Sequence, residues 1–219
     1  MYTPGASGSD DRRAWRRSLR LLLEDPDILL IVATAQSRTR PPRLASLSPM
    51  AQEHPILDAN RRFADGFDQG ALPVRPARQL VIVTCMDSRI DTFRALGLEL
   101  GDAHVIRNAG GRASDDVVRS LIISTTLLGT REVLVVHHTD CGLMGRSEEE
   151  LRALVAGERG SDTSDLEFLS FADHQTALRA DVEKIRASPH LAPDLLVSGY
   201  LYDVHSGRLS ERVPAGSSS

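Results

Sequence analysis

Cysteine, aromatic residues and long apolar runs are all scarce in this sequence of 219 residues. It contains two cysteines, too few for the disulfide framework of a small secreted protein, so we expect free thiols in a reducing compartment, by default the cytoplasm. Its longest strongly apolar stretches run about seven or eight residues, far short of the roughly twenty that a membrane-spanning helix needs. Neither a disulfide-stapled fold nor a membrane-embedded one is therefore expected.

An excess of positive charge is also missing, since 26 basic residues face 30 acidic ones and give a formal net charge of −4. Nucleic-acid binding needs a concentrated basic surface, so a nucleic-acid partner is not expected. What the chain does have is 41% hydrophobic and 26% charged residues, the ordinary balance of a globular protein. Its length is enough to bury a core and suits one domain better than two.

The ends of the chain differ in composition from its middle. Residues 1–50 contain clusters of Gly, Ser, Arg and Pro without a sustained period, which predicts a poorly ordered extension. Met50 offers an alternative start of the protein. Residues 51–213 carry regular patterns and are predicted to form the folded domain, and residues 214–219 are predicted to be a flexible tail.

The N-terminal extension also bears on where the protein works. Arg16 and Arg17 precede the leucines at 21–23, an order that loosely imitates a secretion signal. Acidic residues between positions 24 and 27 interrupt the apolar run, whereas a signal needs continuous hydrophobicity. Export is therefore the weaker alternative to a cytoplasmic location.

Short apolar segments alternate with amphipathic ones from residue 55 onward. The predicted strands are Leu80–Thr84, His104–Arg107, Glu132–Val136 and Leu195–Tyr202, and the predicted helices lie near residues 55–67, 114–128, 148–156 and 175–187. This alternation predicts an α/β fold, with a central mainly parallel sheet flanked by helices. In such sheets, functional sites gather at the carboxyl ends of the strands.

Three potential metal ligands follow two of the predicted strands. Cys85 comes directly after the first strand, and His138 and Cys141 come after the third. Two cysteines and one histidine form a ligand set typical of catalytic zinc, in which a fourth position stays exchangeable. The alternatives are that the cysteines are core residues, that they form a disulfide, or that His137 replaces its neighbour as a ligand. Spacing favours His138, and His137 is predicted to be a packing residue.

Asp87 and Arg89 lie beside the first potential ligand and two residues apart. A guanidinium can grip a carboxylate with two hydrogen bonds and hold it ionised and fixed in direction. Near a metal, that pairing decides whether Asp87 binds the ion as a conditional fourth ligand or leaves the position to water. Taken alone, the pair would be interpreted as a surface ion pair.

The two motifs together resemble the signature of the β-carbonic anhydrases. They are Cys85-x-Asp87-x-Arg89 and His138-x-x-Cys141, with Arg107-Asn108-Ala109-Gly110 between them. The resemblance runs from about Met50 to Val213 and is strongest to the compact bacterial branch of the family. The extension before Met50 has no counterpart, and the effect of Gly111 on the pocket is left open.

The resemblance implies a zinc enzyme that interconverts carbon dioxide and bicarbonate, with one Zn²⁺ per subunit. It implies that Cys85, His138 and Cys141 bind the metal and that Asp87 and Arg89 form the catalytic pair. It further implies four parallel strands with one more strand at an edge, in a homodimer that could pair into a tetramer. The dimer would be formed by N-terminal helices that reach across to the partner.

Two other functions use the same residues. One is hydrolysis of carbon disulfide or carbonyl sulfide, which are linear molecules that suit the same geometry. The other is a non-catalytic zinc-binding homologue that serves in assembly or sensing. The presence of both Asp87 and Arg89 argues against the second, because a purely structural zinc site needs neither residue.

Overall fold

The structure is a computed structural model that describes residues 54–217. The predicted extension at residues 1–50 and the possible start at Met50 lie outside the described residues. Within the described part, no helix is long and apolar enough to cross a membrane.

A five-stranded sheet forms the centre of the fold, in the strand order β2-β1-β3-β4-β5. The strands are β1 (Leu80–Cys85), β2 (Ala103–Asn108), β3 (Glu132–His138), β4 (Leu196–Tyr202) and β5 (Leu209–Gly216). Strands β1 to β4 run parallel, and β5 pairs antiparallel with β4 at the edge. The predicted mainly parallel α/β sheet is confirmed, including the extra strand at one edge.

The described residues contain five α-helices and one 3₁₀ turn. The helices are α1 (Pro55–Asp65), α2 (Thr92–Leu96), α3 (Asp115–Thr126), α4 (Glu148–Arg159) and α5 (His174–Arg186), and the 3₁₀ turn is Ala109–Gly111. Side chains cap the helices: Ser114, for example, accepts from the amide of Val117 at the start of α3. The short helix α2 was not predicted, because its five residues are too few to show a period.

Strand β1 is buried on both faces of the sheet. Val81 and Val83 point to one face and pack with Leu121 of α3 and Leu178 of α5, all fully buried. Ile82 points to the other face and packs near α2. Because side chains alternate along a strand, a strand covered on both faces is mostly apolar, as β1 is from Leu80 to Val83. The polar Thr84 at its carboxyl end is also buried, and its hydroxyl donates to the carbonyl of Val136 at 2.9 Å.

Helix α1 is capped at its N-terminus. His54 accepts from the amide of Ile56, and Pro55 occupies the first turn. None of its residues is buried, and Ile56 and Leu57 are 66% and 44% exposed. The helix that the apolar spacing predicted near residues 55–67 is confirmed over Pro55–Asp65.

The predicted flexible tail at residues 214–219 is wrong for its first three residues. Strand β5 continues to Gly216, which pairs with Val197 of β4. Arg186 of α5 donates to the carbonyl oxygen of Pro214 at 2.7 Å. The small residues of this segment show no alternation of apolar and polar side chains, so the sequence did not predict a strand here. The strand is held by main-chain pairing and by the contact with α5.

Candidate metal centre

The sheet brings the three potential ligands together at one edge. Cys85 is the last residue of β1 and His138 the last residue of β3, and these two strands are parallel neighbours. Cys141 follows three residues later. One ligand atom of each residue lies within 4.8 Å of the other two, and all three residues are buried. The adjacent carboxyl ends of parallel strands thus create a Cys₂His cluster, the ligand set expected from the sequence.

A tight turn after β3 brings Cys141 back toward the strand ends. Asp140 has a φ of 55°, a left-handed conformation that is uncommon for residues other than glycine. The turn is held on one side by the amide of Thr139, which donates to the carbonyl of Tyr202 at 2.9 Å, and on the other by the amide of Met144, which donates to the carbonyl of Cys141 at 3.0 Å. The histidine and the second cysteine therefore face the same point.

His138 presents one nitrogen to the cluster. Its Nδ1 lies 2.8 Å from the carbonyl oxygen of Thr139, which can only accept, so Nδ1 carries the proton in the neutral ring. The lone pair is then on Nε2, which is buried and has no hydrogen-bond partner among the described residues. A buried lone pair without a partner is costly, and a metal ion would satisfy it.

The two cysteine thiols affect one another strongly. A hydrogen bond from Cys141, helped by His138 and by the amides of Asp87 and Gly110, lowers the pKa of Cys85 to about 4, although burial acts in the opposite direction. The pKa of Cys141 is raised, first because its own proton is held by Cys85 and second because it is buried. One thiolate forms readily, and a second needs a nearby cation. A divalent ion bound to both sulfurs meets that need, so these residues fit zinc.

Asp87 is held by Arg89 in this structure. The Nη2 and Nε atoms of Arg89 lie 2.7 and 3.0 Å from Oδ2 and Oδ1 of Asp87, and the Arg89 amide donates to Oδ1 at 2.9 Å. These bonds hold the pKa of the Asp87 carboxyl well below its usual range. Asp87 Oδ2 also lies 3.7 Å from His138 Nδ1, so the carboxylate borders the cluster. The carboxylate stays ionised at neutral pH and is aimed beside the metal ligands.

Arg107 clamps the loop that carries this pair, a role that the sequence did not reveal. It extends from β2, and its Nε donates to the carbonyl of Cys85 at 2.9 Å. Its Nη2 donates to the carbonyl of Asp87 at 2.6 Å, and its Nη1 to that of Ile90 at 3.2 Å. Only its position in the Arg107-Asn108-Ala109-Gly110 run between the two motifs could have drawn attention to it. The guanidinium fixes the backbone that places Cys85 and the pair of Asp87 and Arg89.

The structure shows why a glycine at position 111 matters for the pocket. It has a φ of +66°, and a Cβ atom there would lie 2.9 Å from the backbone nitrogen of Cys85 and 3.0 Å from the carbonyl carbon of Thr84. Both atoms belong to the backbone of β1 and cannot move aside like the end of a flexible side chain. Gly111 therefore allows the 3₁₀ turn to pack against the strand end that carries the first ligand.

His137 points away from the metal ligands and into the core. It is fully buried, and its Nε2 lies 3.0 Å from Oδ2 of Asp181 on α5. Arg112 contacts the same carboxylate oxygen at 2.7 Å, and burial of Asp181 is outweighed by these two partners, so its pKa is lowered. His137 is thus part of a buried polar network. The sequence did not indicate that Arg112 and Asp181, which are 69 residues apart, would meet.

The two cysteines are free in the structure, so they do not form the disulfide that was one alternative. Both cysteines belong to a cluster of buried residues that contains Ile90, Phe171 and Ala177, with Leu143 and Tyr202 packed against it. The two thiols therefore have apolar side chains as neighbours as well as the polar His138.

Known proteins resemble this chain over the part that contains the cluster. A family model described as Carbonic anhydrase matches residues 80–158. Beta-carbonic anhydrase 1 of Mycobacterium tuberculosis is 40% identical over 159 residues, which are 72% of this chain and 96% of that protein. The carbonic anhydrase of Streptococcus mutans has a TM-score of 0.70 at 43% identity and covers 72% of this chain and 95% of that one. A carbon disulfide hydrolase of Acidianus sp. is 34% identical over 156 residues, 60% of this chain and 76% of that protein.

We expect Gly111→Ala to disturb the cluster through the backbone of β1. The added methyl group must push Cys85 away or strain the turn, so zinc content should fall and stability should drop by about 1–3 kcal/mol. Metal analysis and thermal unfolding measure the two effects. Gly157→Ala is the matched control, because nothing lies within 4 Å of a Cβ at this position in α4. A Gly111→Ala protein with the zinc content and melting temperature of the wild type would contradict this role.

Proposed function

Because this chain belongs to the β-carbonic anhydrase family and catalyses the reversible hydration of carbon dioxide with zinc as its cofactor, we propose that Cys85, His138 and Cys141 hold that ion. The observation that carries this assignment is the convergence of the three ligand atoms within 4.8 Å of one another. The partnerless Nε2 of His138 and the unequal thiols support it independently. Three protein ligands leave one position for water or substrate.

When bound, zinc supplies Lewis acidity, which makes water a nucleophile near neutral pH. The residues around it control what reaches that nucleophile. Ile90, Phe171 and Leu143 pack with the two cysteines and give the cluster an apolar border. An uncharged, linear substrate such as carbon dioxide loses little solvation free energy when it binds beside apolar side chains. Charged bicarbonate loses much more, which favours its release to solvent.

Asp87 and Arg89 are proposed to orient the reacting groups. An ionised carboxylate only accepts hydrogen bonds, so Asp87 can bind a water molecule or the hydroxyl of bicarbonate but repels an unprotonated oxygen anion. Arg89 fixes the orientation of this carboxylate with two hydrogen bonds, from Nε to Oδ1 and from Nη2 to Oδ2. It also decides the alternative role of Asp87 as a conditional fourth zinc ligand, because a carboxylate held by Arg89 is kept from turning to the metal.

Hydrolysis of carbon disulfide is a second candidate function with a specific observation in its favour. The carbon disulfide hydrolase of Acidianus sp. aligns with 60% of this chain. The shape of the access route would select between two linear substrates, not the zinc ligands. Carbon dioxide is the better supported substrate, because the carbonic anhydrases align with more of this chain and at higher identity.

The direct test is a comparison of substrates on the purified zinc protein. We expect stopped-flow measurements to show rapid hydration of carbon dioxide and little sulfide release from carbon disulfide. Faster sulfide release than hydration would favour the second function. A protein that holds one zinc per chain but converts neither substrate would instead be the non-catalytic homologue and would contradict the proposed roles.

Two variants separate metal binding from positioning. Arg89→Ala should keep its zinc but lose hydration activity on the order of a hundredfold, because Asp87 is no longer held in place. Cys141→Ala should lose zinc itself, because two ligands remain of three. Zinc quantification and stopped-flow hydration on the same samples measure both.

The matched control for Arg89→Ala is Arg94→Ala, which removes an arginine whose side chain is 90% exposed on α2. Its activity and zinc content should equal those of the wild type. Near-normal turnover in Arg89→Ala would refute the role of Asp87 and Arg89, and full zinc occupancy in Cys141→Ala would refute the ligand assignment.

We also propose that the protein is a homodimer and works in the cytoplasm. The exposure of Ile56 and Leu57 on α1 supports the first point, because an eleven-residue helix is marginal in water and gains stability when a partner covers such side chains. The two free cysteines support a reducing compartment. Sedimentation of the full chain should give twice its mass of 23.9 kDa, or four times if dimers pair. A monomer would contradict the dimer, and recovery of the protein from secreted fractions would contradict the location.

A further inference from the structure

A chain of charged groups leads from the site to the protein surface. Asp87 bonds to Arg89, whose Nη2 also donates to the carbonyl of Asp140 at 3.1 Å. The carboxylate of Asp140 in turn lies 2.6 Å from Nε2 of His205. Side-chain exposure rises along this path from 17% for Asp87 and 45% for Arg89 to 56% for Asp140 and 72% for His205. The path therefore ends at an imidazole in contact with solvent.

The turn between β4 and β5 holds this imidazole against the loop that carries the metal ligands. The amide of Val204 donates to Oγ1 of Thr139 at 3.1 Å, which attaches the turn to the residue after His138. Asp203 receives the amide of His205 at 2.9 Å and the hydroxyl of Ser206 at 2.8 Å, which fixes the backbone of the turn. His205 is thus placed at the rim by several independent bonds rather than by one exposed contact.

The left-handed conformation of Asp140 lets this residue contact both Arg89 and His205. With its φ of 55°, this residue turns its carbonyl to Arg89 and its carboxylate to His205. A non-glycine residue in this region carries some strain, which persists where surrounding contacts enforce it. The bonds from Arg89 and His205 are two such contacts.

Hydration of carbon dioxide releases one proton per turnover, and the proposed site must dispose of it. The three ligands are buried, and Asp87 and Arg89 are paired with each other through two hydrogen bonds, so none of them offers a free acceptor at the surface. Imidazole is the side chain best suited to pick up and release a proton near neutral pH. Among the described residues, His205 is the exposed histidine that is hydrogen-bonded to the ligand loop.

Resting on the proposed function, we propose that His205 accepts the proton produced by hydration and passes it to buffer in solvent. Asp140 is then the residue that positions the His205 ring. A carboxylate only accepts, so the neutral ring carries its proton on Nε2 and leaves the lone pair on Nδ1. The released proton, passed on by solvent at the rim, adds to Nδ1 and gives an imidazolium. The same proton then leaves Nδ1 for a buffer base, and the neutral ring is restored.

The carboxylate of Asp140 lies against the ring of His205, the carboxylate of Asp203 accepts from its backbone amide, and Arg89 lies beyond Asp140. The side chain of His205 is 72% exposed, so a buffer base can reach the ring from solvent.

His205→Gln tests this role most sharply. Glutamine can still donate a hydrogen bond to Asp140 but cannot carry a proton, so the variant separates proton transfer from positioning. In stopped-flow hydration at low buffer concentration, kcat should fall by about tenfold or more, while kcat/KM should stay at the wild-type value. Added imidazole buffer should restore kcat in a saturable manner. Zinc content and melting temperature should not change.

The matched control is His190→Gln, which alters an exposed histidine away from the ligand loop and should keep the wild-type buffer dependence. A His205→Gln protein with wild-type kcat at low buffer would overturn the proposal. So would equal losses in kcat and kcat/KM that buffer does not rescue, because they would show a structural role. If the wild type itself failed to hydrate carbon dioxide, the proposed function would fail instead, so the two failures are distinguishable.

Discussion

The site depends on one electrostatic constraint, the close approach of two buried cysteine sulfurs beside a histidine lone pair. One of the thiols gives up its proton easily because the other bonds to it, and the second then holds its proton tightly. Without a cation, the cluster cannot place two negative sulfurs so near one another in a low-dielectric interior. The same feature that makes the arrangement unfavourable for the chain alone makes it a strong site for a divalent, thiolate-binding metal.

The rest of the fold works to keep this arrangement in place. Parallel pairing of β1 and β3 sets the separation of Cys85 and His138. Gly111 allows a second segment to pack against the backbone of Cys85, and Arg107 ties down the loop that follows. Behind the ligands, the network of His137, Arg112 and Asp181 joins β3 to α5 in the core. Each of these contacts acts on backbone position, which is what a metal centre with three fixed ligands requires.

Arg89 links the interior of the site to its rim. Its guanidinium is shared between the carboxylate of Asp87 and the carbonyl of Asp140, so the residue that keeps the acceptor beside the metal also touches the loop that carries Cys141. A change on the β4–β5 turn can therefore reach the pair of Asp87 and Arg89 through Asp140. In this way a short edge hairpin, far in sequence from Cys85, contacts the residues around the candidate metal centre.

The sequence by itself determined the chemistry and the class of fold. Apolar strands alternating with helices predicted a layered parallel sheet. Cys85 and His138 stood at the strand ends where such sheets carry sites, with Cys141 three residues after His138. Ligand type and local spacing are properties of short segments, so they could be inferred before any coordinates. The short helix α2 and the end of β5 could not, because five residues show no period and pairing can stabilise a strand without apolar side chains.

Only the tertiary structure decided which distant residues support the ligands. The clamp of Arg107 on the Cys85 loop, the meeting of Arg112 with Asp181 and the bond between Asp140 and His205 all join residues at least 17 positions apart. No local pattern encodes such contacts, because each depends on strand order and on the direction in which a helix or turn returns to the sheet. The pairing of Asp87 with Arg89 was expected from the sequence because the two are only two residues apart, whereas the structure decided that this carboxylate lies beside His138.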